Sequence, residues 1–247
     1  MPAKRGAALL VAGTDTGVGK TVVSALLLAA LRRQGRGVLA MKPVESGCAP
    51  DPLDALTLAA VTGQRDLDEV CPYRLTAAVA PQSAAAEQSV TIDAGRIRGP
   101  LWRMRERAEL VLVETAGGLG TPYGPGLLVL DLARELDLPL LLVGRHALGT
   151  VGQVLVALRL LQHEGLRCVG VVLSETTAGG AGPAGETHRP LLEEHGGDVP
   201  LLGILPHLAS IPDPHEPEAV RAWTEWHLGR FEAAVSLAAL VSLCSAG

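Results

Sequence analysis

The chain has 247 residues, 48% of them hydrophobic but only 2% aromatic, with 29 Gly and 17 Pro. That length and apolar content exclude a disordered chain, and they allow a core of Leu, Val and Ala that needs no disulfide or metal staple. A formal net charge of −5, with three Trp, two Tyr and one Phe, argues against a nucleic-acid surface or an anionic-membrane surface.

Short runs that are apolar on both faces occur at 7–12, 38–41, 110–113, 138–143, 169–173 and 201–205. This is the pattern of buried strands in a parallel sheet. Helical patterns lie between them. Val22, Leu26, Ala29 and Ala30 fall at i, i+4, i+7 and i+8, and 53–61, 92–107, 127–136 and 151–163 read likewise. The alternation predicts an α/β fold with right-handed crossovers, a doubly wound and mostly parallel sheet flanked by helices. No linker or repeat divides it, so residues 1–247 are expected to form a single domain. Segment 72–90 is less periodic and reads as an excursion from the sheet. Segment 177–185 is Gly/Ala-rich and reads as a mobile loop, and 217–246 reads as a C-terminal packing helix.

Lys4 and Arg5 precede the first apolar run, but six residues are too short for the core of a signal peptide. No uncharged apolar stretch reaches the roughly 18 residues of a membrane span. Cys48, Cys71, Cys168 and Cys244 form no Cys-x-x-Cys pair and read as thiols of a reducing compartment. A soluble, cytoplasmic protein is the expectation.

The strongest motif is Gly13-Thr14-Asp15-Thr16-Gly17-Val18-Gly19-Lys20-Thr21, between the first strand and the first helix. Glycines let backbone N–H groups turn onto phosphate oxygens, and the helix N-terminus favours the anion. Lys20 supplies a charge for the β- and γ-phosphates, and Thr21 a hydroxyl for Mg²⁺. Five residues, where the common pattern has four, separate the first Gly from Gly-Lys.

Three more polar clusters fall at or near strand ends, where ligands of parallel sheets bind. Lys42-Pro43-Val44-Glu45-Ser46-Gly47 follows the second strand and places a lysine to neutralise an anionic intermediate. Asp54 stands near a helix start, as a cap or a metal ligand. Glu114-Thr115-Ala116-Gly117-Gly118 ends the third strand with a carboxylate suited to Mg²⁺. Thr21, Asp54 and Glu114 together make a hard-oxygen metal set. Lys20 and Lys42 around it suggest phosphoryl transfer to an anionic acceptor. The seven histidines, at 146, 163, 188, 195, 207, 215 and 227, show no ligand spacing and read as surface or core.

These motifs, in this order, resemble the dethiobiotin synthetase family of biotin biosynthesis, and Pro-Leu-Leu-Gly-Ile-Leu-Pro at 200–206 extends the likeness over 7–215. The resemblance implies a P-loop NTPase fold. It also implies an ATP- and Mg²⁺-dependent ureido ring closure on 7,8-diaminopelargonic acid, with CO₂ or bicarbonate as carbon source. The implied route runs through a carbamate and a carbamic–phosphoric anhydride to dethiobiotin, ADP and phosphate. By the same resemblance Lys42 and Lys20 stabilise charge in transfer, and Thr16 and Ser46 hold the carbamate. Gly118 borders the substrate, and Thr21, Asp54 and Glu114 carry Mg²⁺. The nucleotide would touch Gly13 to Asp15, Gly17 to Val22, Asp54, Glu114, Thr115, Ala116 and Gly117, together with Ser174, Glu175, Pro206, His207 and Leu208.

The family forms homodimers with sites at the interface. The helix start at Thr150, Val151 and Gly152 would then face the substrate carboxylate bound in the partner chain. Two positions depart from the family pattern: Gly152 and Ser174 stand where Asn is usual. The second departure predicts weak discrimination among nucleotide bases, since a hydroxyl has fewer hydrogen-bonding groups than an amide. Rival readings lack their marks. After residue 215 there is too little chain for the glutaminase domain of cobyrinate-type amide synthetases. Asp15 stands where positioning ATPases carry a lysine, and there is no Asn-Lys-x-Asp motif of GTPases.

Overall fold

A computed structural model describes residues 5–238 and 240. The elements run β1 (Ala7–Gly13), α1 (Lys20–Arg33), β2 (Val38–Met41), β3 (Val44–Ser46), α2 (Leu53–Thr62), α3 (Leu67–Val70), β4 (Tyr73–Leu75), α4 (Pro81–Glu87), α5 (Ala94–Arg105) and β5 (Leu110–Gly118). They continue with β6 (Pro122–Gly124), β7 (Leu127–Leu128), α6 (Val129–Leu136), β8 (Leu140–Arg145), α7 (Thr150–His163), β9 (Cys168–Ser174), α8 (Gly185–His195), β10 (Leu201–Leu205) and α9 (Pro217–Ala234).

Six strands form one sheet in the order β10-β9-β8-β1-β5-β2, and every adjacent pair is parallel. Alternate residues of β1 serve opposite layers. Ala8, Leu10 and Ala12 join the core under α5, α6 and α7, while Leu9 and Val11 join the core under α1 and α9. Burial on both faces is why the strands read as unbroken apolar runs, each large side chain contributing about 1.5–3 kcal/mol. The chain winds from β1 outward to β2, returns to β5, then crosses to β8 on the other side of β1. That reversal opens a crevice at the carboxyl ends of the strands.

The expected strands are all present, and β5 runs on to Gly118 because its end pairs again with β1, Gly13 against Gly118. The irregular stretch does leave the sheet: β4 pairs with β3 in a separate parallel ribbon, followed by α4. Two features differ from expectation. Helix α8 has no counterpart in the periodicity, since it starts at Gly185 and contains Pro190. The C-terminal helix breaks at Ala234, because Val235 turns extended and bridges Gly203 beside β10, and helical backbone resumes at Leu237. Residues 239 and 241–247, Cys244 among them, lie outside the described residues. Among the described residues no helix is long and apolar enough to cross a membrane.

Candidate active site

The phosphate loop leaves β1 at Gly13 and enters α1 at Lys20. Gly19 caps the helix at φ 92°, the left-handed region, and a Cβ there would lie 2.6 Å from Ser174 Oγ. No side chain caps α1 and its first turn holds no acid, so its N–H groups remain for an anion. Inside the loop, Lys20 Nζ donates to the Asp15 carbonyl at 3.0 Å. Outside it, the Arg145 guanidinium donates to the Thr16 and Gly17 carbonyls at 3.2 and 3.4 Å. Burial, aided by the nearby Lys42 charge, pushes the Lys20 ammonium down to about 8 against the pull of Glu114, Asp54 and Asp15.

Next to the loop stands a buried charge cluster. Lys42, just past β2, is 2% exposed and Glu114, inside β5, is 0% exposed. Lys42 Nζ donates to Glu114 Oε1 at 2.6 Å and to Asp54 Oδ2 at 2.7 Å. Thr21 Oγ1 donates to the same Glu114 oxygen at 2.9 Å. Burial works against the Lys42 charge, but Glu114, Asp54 and Glu45 outweigh it and hold the ammonium well above the usual lysine range. Burial likewise works against Asp54, and Lys42 overcomes it to keep that carboxyl below its ordinary value. Lys42 and Asp54 thus favour each other's charged form, as a buried pair with complementary hydrogen bonds can.

A cavity of about 1070 Å³ opens over these groups. Thr14 to Gly17, Gly19 to Val22, Lys42, Ser46, Asp54 and Ala116 to Gly118 line it. Opposite the polar floor, Val79, Ala80, Pro81 and Leu119 form an apolar wall. Gly13, Val18, Glu114 and Thr115 lie behind this lining and support it.

The remaining predicted residues lie elsewhere. Ser174 is buried and packs on Gly19, while Thr176 reaches the cavity. The Glu175 carboxylate accepts from the His207 backbone N–H at 3.1 Å, joining the ends of β9 and β10. Pro206, His207 and Leu208 follow β10 and stand outside the cavity lining. The Thr150 hydroxyl is buried and turned toward Gly144. Gly152 borders a second hollow of about 430 Å³, shared with Gly13, Thr14, Leu119, Gly120 and Val156.

Four contributors escaped the motif reading. Glu45 accepts from the first amides of α2. Tyr123 is fully buried and its hydroxyl accepts from the Ala116 N–H at 2.8 Å. Thr121 Oγ1 accepts from the Gly118 N–H at 2.9 Å, and Arg145 clasps the phosphate loop. Only Glu45 lay inside a motif already singled out. The chemistry of the floor, two lysines among carboxylates beside a free helix N-terminus, suits a polyphosphate and a reacting anion.

Comparison with known proteins agrees with this geometry. A family model described as an AAA domain matches residues 7–215. The ATP-dependent dethiobiotin synthetase BioD of Aromatoleum aromaticum is 40% identical over 82% of this chain and 91% of its own length. The enzyme of the same name from Xanthomonas campestris is 41% identical over 68% of this chain and 78% of its own. That of Xylella fastidiosa is 34% identical over 81% and 90%. Among solved structures, a ParA family ATPase from Chlorobium tepidum matches with TM-score 0.55 at 14% identity, over 92% of this chain and 98% of that one. The MinC:MinD complex of Aquifex aeolicus matches with TM-score 0.54 at 15% identity, over 91% and 96%. At such identities these two structures speak for the fold alone, a P-loop NTPase sheet. The curated relatives go further: this chain belongs to the ATP-dependent dethiobiotin synthetase family.

Proposed function

We propose that the chain is an ATP-dependent dethiobiotin synthetase acting on 7,8-diaminopelargonic acid and CO₂, as one nucleotide-binding unit. The observation that carries the reading is Lys42 held between Asp54 and Glu114 in the same cavity as the phosphate-loop Lys20. One amine of the substrate attacks CO₂ and loses a proton to give a carbamate. A carbamate oxygen attacks the γ-phosphorus and the bond to ADP breaks. The second amine then attacks the carbamoyl carbon, loses a proton and expels phosphate, closing the ring.

Asp54 and Glu114 favour the charged form of Lys42, which supports an electrostatic role for it. Lys20 faces the β- and γ-phosphates from α1. Thr16 and Ser46 line the cavity, and their hydroxyls can hold the carbamate. The wall of Val79, Ala80 and Pro81 suits the aliphatic chain of the substrate.

The donor set of Thr21, Asp54 and Glu114 fits Mg²⁺. All three offer oxygen, and Glu114 Oε2 is buried with no hydrogen-bond partner. Two carboxylates and a hydroxyl leave coordination positions for water and phosphate. When bound, the ion neutralises charge on the polyphosphate.

A homodimer is supported by the outer edge of the second hollow. Val156 lines that hollow with Gly152 and is 71% exposed, Leu148 just before α7 is 86% exposed, and a second copy would cover them. A cytoplasmic location suits a chain with free thiols at Cys48, Cys71 and Cys168. The test is phosphate release with ATP, Mg²⁺, bicarbonate and 7,8-diaminopelargonate, each omitted in turn. Release should require all four, and release without the diamine would overturn the reading.

A further inference from the structure

Helix α2 brings Asp54 to the charge cluster, yet it lacks an ordinary start. Its N-cap is Pro52, with no side-chain hydrogen bond to the first turn. Pro cannot cap, and the first amides of a helix have no partner of their own. The missing acceptors come from β3. Glu45 Oε1 accepts from the Asp54 N–H and Oε2 from the Ala55 N–H, both at 2.9 Å. The Glu45 side chain belongs to a residue only 7% exposed. Burial, aided by the nearby Asp54 charge, pushes the Glu45 carboxyl up to about 7, while Lys42 and the two amide donors at the positive end of the helix pull the other way.

The Asp54 side chain is 41% exposed and its carboxylate is fixed by Lys42. Packing therefore does little to hold it. What sets its distance from Lys42 is where α2 begins, and Glu45 sets that point. We infer that Glu45 is a positioning residue, a cap supplied from β3 that aims Asp54 at Lys42 and the phosphate side of the cavity. The inference rests on the role given above to Asp54. Glu45 also borders the cavity, and the role inferred for it is to hold the start of α2 through one amide N–H on each oxygen, with no contact to substrate.

The test uses the full chain and three variants: Glu45→Gln, Glu45→Ala, and Glu45→Ala combined with Pro52→Asp, which supplies a local cap at a non-helical position. Hydrogen exchange of the nucleotide-free protein should show the Asp54 and Ala55 amides opening at least about tenfold faster in both single variants, with α1 unchanged. Mn²⁺ affinity in the presence of ADP should fall by about tenfold, and kcat by a similar factor, with the KM for ATP within about twofold. The added cap should recover exchange protection, Mn²⁺ affinity and most of kcat.

Unchanged exchange at these two amides overturns the inference. So does a double variant that regains protection and melting temperature while Mn²⁺ affinity and kcat stay low, because Glu45 then acts otherwise than through α2. Wild-type protein with normal exchange and Mn²⁺ binding but no diamine-dependent turnover would instead overturn the proposed reaction. The exchange and Mn²⁺ arms would still decide the role of Glu45.

Discussion

Replacing Lys42 by Met removes the charge between Asp54 and Glu114 while keeping most of the side chain's volume. Glu114 is then a fully buried carboxylate without its 2.6 Å partner. Breaking a buried pair from one side costs about 3–5 kcal/mol. Thr21 Oγ1 still donates to the same oxygen at 2.9 Å, so we expect the lower end, about 3 kcal/mol. For a chain of this size that lowers the melting temperature by about 6–12 °C. Asp54 is partly exposed and adds little to this loss. The double variant Lys42→Met with Glu114→Leu removes both charges and should regain most of the stability, since a buried pair exchanged for apolar groups is often neutral. Neither variant should turn over. Urea and thermal unfolding beside a phosphate-release assay separate the two effects. If Lys42→Met melts within about 2 °C of wild type, or keeps normal turnover, the argument for a buried electrostatic centre fails.

Four further outcomes follow from the same geometry. Lys20 sits near 8, so above that pH it must take up a proton as nucleotide binds, and ADP affinity should weaken by up to about tenfold per pH unit; calorimetry with a flat profile across this range would contradict it. Gly19→Ala, forced to φ 92° and against Ser174 Oγ, should abolish measurable ADP binding while the protein still folds, and normal binding would contradict the fit. Turnover with CTP and GTP should lie within about tenfold of that with ATP, because Ser174 faces Gly19 and offers the base no amide; a strong ATP preference would refute this. His215 is raised by its hydrogen bonds to Asp213 and Asp51, so its contribution to stability is present at acidic pH and fades as pH rises through the folded-state midpoint; Asp51→Asn should lower that midpoint in an NMR titration.

What could be read from the residues alone was whatever depends on local pattern. The six strands are legible because both faces are buried, and the phosphate loop because Gly-Lys-Thr sits between a strand and a helix. Glu114 was legible as a carboxylate at the end of an apolar run. What was hidden depends on distant partners. Glu45 looks like one more polar residue of a loop until β3 places it against α2. Ser174 ends β9 at the point where Gly19 leaves room for it, and its neighbour Thr176 takes the place at the cavity. The end of α9 is set by Val235 pairing with Gly203, more than thirty residues earlier, which no helical periodicity can signal. Arg145 clasps the loop from the end of β8, an edge of the crevice defined only by strand order.

The claim at the centre is that a carbamate oxygen, held by this cavity, displaces ADP from the γ-phosphate. Supplying carbon dioxide labelled with heavy oxygen for turnovers quicker than its hydration exchanges the label with water, and analysing the released phosphate by mass spectrometry, tests it directly. The account predicts one heavy oxygen in each phosphate formed together with dethiobiotin. Unlabelled phosphate, formed at the same rate as the product, would contradict it.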